Sequence, residues 1–370
     1  MNKVLLLGGG LQGLSFGESL YKEKDYELAV VSNEYDIHKS HFFTHCYSGS
    51  VSDYDTVIDQ IFQKEQYDLL VPMGDTSVAF LCDHQHQIES RYHTKCAVVE
   101  KTIHSIVADK GQFMAFCEEN GFPHPLTATL AETTLETAAQ EVGFPSLIKP
   151  DHSVGARGIT RVHSLEELQY QFPRVSQKYG SCTLQEHIDN PDYYYNVMMY
   201  RDAKGDTTSV VIKIVRKYPV QAGSSSCCIS VENSELSTIC QKVMDKLNWV
   251  GMADFDVLQR KDTLEYKIIE VNPRVPASLR AAYVSGINFP RMIIQDALKG
   301  SYQRDEYEPG KVLRYLGIDL LWFLKSSNRF NSSPSWFSFF GKDIFYQDII
   351  KSDVSTWYSW LVKGIQKFFH

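Results

Sequence analysis

No apolar run in the 370-residue chain approaches the roughly 18 residues that a membrane-spanning helix needs, which excludes a helical integral membrane protein. Nothing precedes the strand-like run after Met1-Asn2-Lys3 that reads as a signal peptide, and the expectation is a cytoplasmic protein. The eight cysteines form no CxxC, and adjacent Cys227-Cys228 lacks the spacing of a zinc site, so reduced thiols are expected. Basic residues are not in excess: 37 Lys+Arg stand against 45 Asp+Glu, a formal charge of −8. That balance argues against non-specific nucleic-acid binding, which needs a basic face to displace counterions. A P-loop is absent, because no Gly-Lys-Ser/Thr follows a glycine-rich turn. There is no internal repeat, and no Cys/His/Glu amidotransferase triad is readable.

What is present is an ordinary globular composition, 43% hydrophobic and 22% charged, long enough for two or three domains. Over the first 100 residues apolar strands alternate with helices: Val4–Leu7, Gln12–Lys22, Leu28–Val31, Thr56–Lys64, Leu69–Val71 and Cys96–Val99. This alternation predicts a doubly wound parallel sheet. A helix over Lys110–Asn120 follows, then Ser146–Lys149, Gly158–Val162, a helix near Leu165–Tyr170, and a strand over Thr183–His187, together a small α+β unit. Strands are denser after Tyr193, at Tyr194–Tyr200, Ser209–Val215, Asp254–Gln259 and Tyr266–Val271, around a Gly/Ser-rich segment, Gln221–Cys228, expected to be flexible. The expected division is 1–105, 106–190, 191–300 and an aromatic-rich extension over 301–370.

Gly8-Gly9-Gly10-Leu11-Gln12-Gly13 satisfies G-x-G-x-x-G between a strand and a helix, and Glu34 lies 21 residues past Gly13. The pattern suits a dinucleotide site with Glu34 on a ribose, or a tight turn that binds nothing. The remainder of the chain decides against a nicotinamide oxidoreductase.

Lys110 opens a helix and Lys149 ends a strand. Between Lys149 and Gly158 runs a turn containing Ser153, Gly155 and Gly158. A flexible loop beside a strand-borne lysine is suited to closing over polyphosphate. Gln185-Glu186-His187-Ile188 follows a strand, where backbone groups could meet an adenine edge and the carboxylate a ribose, or where a strand merely surfaces. Asp256 and Glu270 sit on strand patterns joined by a short polar connection, and Asn272 leaves the same face as Glu270. Two carboxylates and an amide oxygen on one face make a hard-oxygen site for magnesium. Arg274 adds a fixed cation beside it.

In this order the residues resemble the ATP-grasp superfamily, especially members like the carbamoyl-phosphate synthetase large subunit, across about residues 1–300. The carriers are the glycine-rich start, Asp109-Lys110, Pro145–Pro150, Ser153–Gly158, Gln185–Ile188, Asp256, and Glu270-Val271-Asn272-Pro273-Arg274. The resemblance implies an ATP-grasp fold with an N-terminal Rossmann-like domain. It implies that Lys110 and Lys149 meet ATP phosphates, Ser153–Gly158 forms a lid, and Glu186 and Ile188 frame the adenine. Asp256, Glu270 and Asn272 would hold one or two magnesium ions, with manganese as an alternative, and Arg274 would steady the transferring phosphoryl group. The family often carries acids on the strand after the hinge; here Tyr194-Tyr195-Asn196-Val197-Met198 has none.

The implied activity is a ligase that phosphorylates a small-molecule carboxylate and joins it to an amine. Lys213, Arg216, Arg274 and Arg280 are candidate cations around that step. The alternatives are carbamoyl-phosphate-synthetase-like phosphorylation of bicarbonate or carbamate, and a non-catalytic ATP-binding regulator. Trp357, Leu361, Ile365 and Phe368 fall on one helical face, suited to a peripheral membrane contact, a partner, or packing against the body. The oligomeric state is not readable from the sequence; the resemblance leaves a homodimer open, since many relatives are dimers.

Overall fold

Residues 1–152, 157–220 and 223–353 are described by the computed structural model. Ser153, Gly155, Gln221 and the helical pattern from Trp357 lie outside these residues. The chain begins with a five-stranded parallel sheet of β1 (Asn2–Leu7), β2 (Tyr26–Val31), β3 (His45–Tyr47), β4 (Leu69–Pro72) and β5 (Lys95–Cys96), in the order β3-β2-β1-β4-β5. Its connections carry α1 (Gly10–Leu20), α2 (Tyr35–Lys39), α3 (Tyr54–Phe62) and α4 (Asp75–Tyr92). Val4, Leu5, Leu6 and Leu7 are fully buried, as expected of a strand covered on both faces. The turn into α1 needs its glycines. Gly8 and Gly10 have φ of +100° and +67°, and a Cβ at Gly9 would lie 2.6 Å from Ile37 of α2.

Helices α5 (Lys101–Ala108) and α6 (Lys110–Glu119) lead to a four-stranded antiparallel sheet ordered β6-β9-β7-β8. Its strands are β6 (Thr127–Thr129), β7 (Ser146–Pro150), β8 (Thr160–Val162) and β9 (Cys182–Glu186), packed by α7 (Leu135–Val142) and α8 (Leu165–Tyr179). Helix α8 runs nine residues past the expected Tyr170 and through Pro173.

The largest sheet has seven strands, β10 (Tyr194–Arg201), β11 (Thr207–Tyr218), β12 (Ser224–Val231), β13 (Gly251–Gln259), β14 (Tyr266–Asn272), β15 (Val312–Arg314) and β16 (Ile344–Tyr346). Their order is β14-β13-β10-β11-β12-β15-β16. Helix α9 (Ser234–Lys246) covers one face, where Leu236, Cys240 and Val243 pack with Val197, Val211 and Phe255. On the other face α10 (Leu279–Val284) and α11 (Phe289–Lys299) join Met198, Ile212 and Ile214 to the core of the first sheet. Helix α12 (Leu316–Lys325) packs against β11 and β12. The segment expected to be flexible is corrected here: Ser224–Cys228 belongs to β12, because Cys227 and Cys228 are buried between β11 and β15. No helix among the described residues is long and apolar enough to cross a membrane.

Candidate active site

The site grows from strand pairing. β13 and β14 run antiparallel with Asp256 opposite Glu270 and Asp254 opposite Asn272. β10 pairs on the other side, placing Asn196 opposite Asp256. Side chains alternate along a strand, so Asn196, Asp254, Asp256, Glu270 and Asn272 share a face. Asn196 donates its side-chain amide to Asp256 Oδ1, and Asn272 Nδ2 lies 3.4 Å from the Asp254 carbonyl. Arg274, just past Pro273, is gripped by Asp75 at the start of α4: Nε to Oδ1 is 2.5 Å and Nη2 to Oδ2 is 3.2 Å. Arg274 Nη2 also reaches Asn272 Oδ1 at 3.3 Å.

These residues line a cavity of about 910 Å³. Lys110 and Asp109 border it from α6, and Leu11 and Gln12 from α1. Leu313, Tyr315, Ile318 and Gln347 border it from beyond residue 300. Burial pushes the Asp254 carboxyl up to about 8, and burial together with Glu270 pushes Asp256 well above the ordinary carboxylate range. Asp254 is 4% exposed and its Oδ1 has no hydrogen-bond partner. Packed acids of this kind want a cation. An oxygen-only donor set with an orphaned buried oxygen fits magnesium, and Asp256, Glu270 and Asn272 are the residues that would hold it, with Asp254 behind them. Glu27, His45 and Glu65 also bring ligand atoms within 4.8 Å of one another, but Lys3 Nζ already lies 2.5 Å from Glu65 and 3.8 Å from Glu27.

Lys149 is buried, and its Nζ donates to Gln185 Oε1 at 2.6 Å. Burial lowers its pKa to about 8, against the pull of Glu270 and Asp256. Gln185 in turn donates to Thr127 Oγ1 at 3.0 Å. Glu186 is held by Arg260 and by the Leu126 amide at 3.2 Å, His187 takes its amide to the Pro145 carbonyl at 3.2 Å, and Ile188 is buried. These four border the link from β9 to β10 and do not line the cavity. Gly158, φ +78°, packs so closely that a Cβ would lie 2.7 Å from Tyr179 and 2.9 Å from Pro150.

Four expected cations, Lys149, Lys213, Arg216 and Arg280, are not among the residues lining the cavity. Arg216 would share the face of Ile214 if β11 alternated regularly, but a bulge intervenes: Ile214 pairs with Cys228 and Arg216 with Cys227. Arg216 is thereby turned to the opposite face, where its Nε and Nη2 grip Asp319 at 2.7 and 3.0 Å. Arg314 grips the same carboxylate at 2.9 Å. Arg280 is clamped by Glu18 of α1 at 2.7 and 2.8 Å, tying α10 to the first sheet. Lys213 lies 3.5 Å from the Tyr193 ring centre. Sequence reasoning missed Asp254, although its spacing of two from Asp256 was a readable signal. Asp75, Asn196 and Gln347 had none.

Residues 198–318 match a family model described as ATP-grasp in the biosynthetic pathway with Ter operon. The chain is 26% identical over 266 residues to the carbamoyl phosphate synthase large chain, N-terminal section, of Methanopyrus kandleri, covering 65% of this chain and 45% of that one. It is 23% identical over 246 residues to the D-aspartate ligase of Enterococcus faecium, covering 62% of this chain and 58% of the ligase. The chain thus spans about half the length of these curated relatives. Among solved structures, biotin carboxylase from Campylobacter jejuni superposes with a TM-score of 0.70 at 18% identity, covering 84% of this chain and 74% of that one. The L-amino acid ligase of Bacillus licheniformis does so at 0.65 and 15%, covering 84% and 78%. A family model over residues 198–318, relatives at 23–26% identity and a shared fold lead to one assignment: the chain carries an ATP-grasp domain.

Proposed function

We propose that the protein is an ATP-dependent carboxylate–amine ligase. The observation that carries this reading is one cavity holding Asp254, Asp256, Glu270 and Asn272 together with Lys110 and Arg274. A substrate carboxylate oxygen attacks the γ-phosphorus of ATP and ADP leaves. The amine nitrogen then attacks the acyl carbon, phosphate departs, and the amine gives up a proton. Both reacting partners of the first step are anions, so fixed cations must bring them together. Lys110 and Lys149 serve the phosphates, and Arg274, held by Asp75, faces the group in transfer. Bound at Asp256, Glu270 and Asn272, one or two magnesium ions, or manganese, would neutralise phosphate charge. Gln185, Glu186, His187 and Ile188 serve the nucleotide base side, and Ser153, Gly155 and Gly158 belong to the lid.

The proposed units are 1–105, 106–190, 191–300 and 301–370, working in the cytoplasm as a homodimer. The peripheral membrane contact is proposed for the helical pattern from Trp357 to Phe368, and the exposed Leu320, Leu324, Phe330, Phe337 and Phe340 of the same unit add apolar surface. The similarity to the carbamoyl phosphate synthase large chain favours a second reading, phosphorylation of bicarbonate or carbamate. Magnesium-dependent ADP release, measured with pooled carboxylic acids, pooled amines and bicarbonate, separates the two. Release requiring an acid and an amine supports the ligase; release with bicarbonate and ammonia alone supports the second reading.

A further inference from the structure

The cavity has two chemically different ends. Tyr194, Ile214, Cys228 and Leu313 stand side by side across β10, β11, β12 and β15, and three of them line it. β14 and β15 are five strand spacings apart, about 24 Å at ~4.8 Å per spacing. Among the described residues, every charged side chain in the lining comes from the stretch α4 to α6, His152, β13, β14 or Arg274. Leu11, Gln12, Leu313, Tyr315, Ile318 and Gln347 bring none. Gln347 is 5% exposed, and its Nε2 donates to Ser15 Oγ at 3.1 Å while its Oε1 has no partner. A buried acceptor without a donor is unfavourable unless a bound molecule supplies an N–H or O–H.

We propose that this end is a subsite for the distal part of a co-substrate, an uncharged and mainly apolar group that donates one hydrogen bond to Gln347 Oε1. The inference rests on the ligase reading and narrows its substrates. Among the described lining residues of this end an acidic side group would meet an acceptor oxygen and no cation, and a cationic one no carboxylate; Asp36 and Asp348 act on Tyr315, and Lys217 stacks on Tyr194, from outside the lining. Ammonia would leave the space empty. The group can arrive on the amine or on the tail of the carboxylic acid, with the reacting atoms kept toward Arg274.

The experiment measures ADP release with two panels in crossed combination. The amines are ammonium, phenethylamine, tyramine, leucine, tyrosine, aspartate and lysine; the acids are phenylacetate, 4-hydroxyphenylacetate and glutarate. The wild-type protein is expected to favour compounds with neutral side groups at least tenfold in kcat/KM over aspartate, lysine and glutarate, and whichever panel shows the discrimination is the source. In Gln347→Leu, KM should rise about tenfold for the hydroxyl-bearing member of each pair with kcat nearly unchanged, and its partner without the hydroxyl should be unaffected. Ile318→Arg should shift preference toward the acidic compounds, whereas Ile318→Val should not. Preference for charged or unsubstituted compounds, or an Ile318→Arg profile identical to wild type, overturns the subsite. If no combination releases ADP, the ligase reading fails. The subsite is then judged by calorimetric titration of the same compounds with a non-hydrolysable ATP analogue: saturable binding of the neutral compounds alone upholds it, and binding of none or of the charged ones removes it.

Discussion

Asp254 and Asp256 alternate along β13, so both carboxyls emerge on the face that Glu270 and Asn272 occupy from β14. Removing one oxygen donor from this set should stop the chemistry without unfolding a strand paired by its backbone. Glu270→Ala is expected to lower ADP release by at least about 100-fold, with a Tm within a few degrees of wild type. The same cluster predicts a pH dependence. Asp254, pushed up to about 8, and Asp256, pushed the same way, bind protons in the folded chain that an unfolded carboxyl, near 3.8, has already lost. Stability should therefore fall as pH rises from about 4 toward 8. Lys149 acts in the opposite sense above that: its pKa near 8, against 10.5 unfolded, adds stability between those values as pH rises. Thermal melts in chelator from pH 5 to 8 should show the fall, and Asp254→Asn or added magnesium and nucleotide should flatten it. Much of this was legible, because period-two alternation and a short hairpin suffice to put Asp256, Glu270 and Asn272 on one face. Arg216 was not, since the two register irregularities that flank it in the β11–β12 pairing turn it to the opposite face and leave no mark in the local pattern.

Helix α12 owes its place to that reversal. Arg216 and Arg314 converge on Asp319 with side chains almost wholly buried, under Trp322 and Trp336. Two guanidinium groups share one carboxylate, so its removal strands both in a region closed to water. Asp319→Ala should cost roughly 3–5 kcal/mol in denaturant unfolding, far more than an exposed pair would. At this scale the chain was legible where periodicity is regular. Leu165, Leu168, Phe172, Val175 and Tyr179 keep one helical stripe, but the expected helix stops at Tyr170, short of Pro173; α8 carries the stripe past that proline, which removes a single backbone donor. It misled where composition outweighed position: serines and Gly223 suggest a loop, yet Ser226, Cys227 and Cys228 are buried in succession, as in a strand covered on both faces and paired on both sides.

Across the whole molecule, a buried arginine and a half-buried one join the first sheet to the third. Arg280 meets Glu18 and the Ile349 carbonyl; Arg291 meets Glu23 and Asp305. Arg280 lies outside the cavity lining, so its replacement separates a structural role from a catalytic one. Arg280→Lys should lower stability by about 2–4 kcal/mol while kcat for ADP release at low temperature stays within about twofold. The parallel sheet of the first 100 residues was legible in the alternation of strands and helices. The return of Gln347 to Ser15, 332 residues earlier, was not, because a contact at that separation leaves no periodic trace.

The third sheet has a border supplied late. β15 and β16 belong to the stretch after Gly300, yet β15 hydrogen-bonds along β12 and β16 along β15. A chain ending at Gly300 would keep Asp256, Glu270, Asn272 and Arg274 but would bare the backbone of β12, a ready template for another strand. Such a fragment should associate through that border, giving high-mass species on size-exclusion chromatography where the full chain elutes as a defined one, and Pro or Lys substitutions at the outward-facing positions of β12 should restore solubility before they restore turnover.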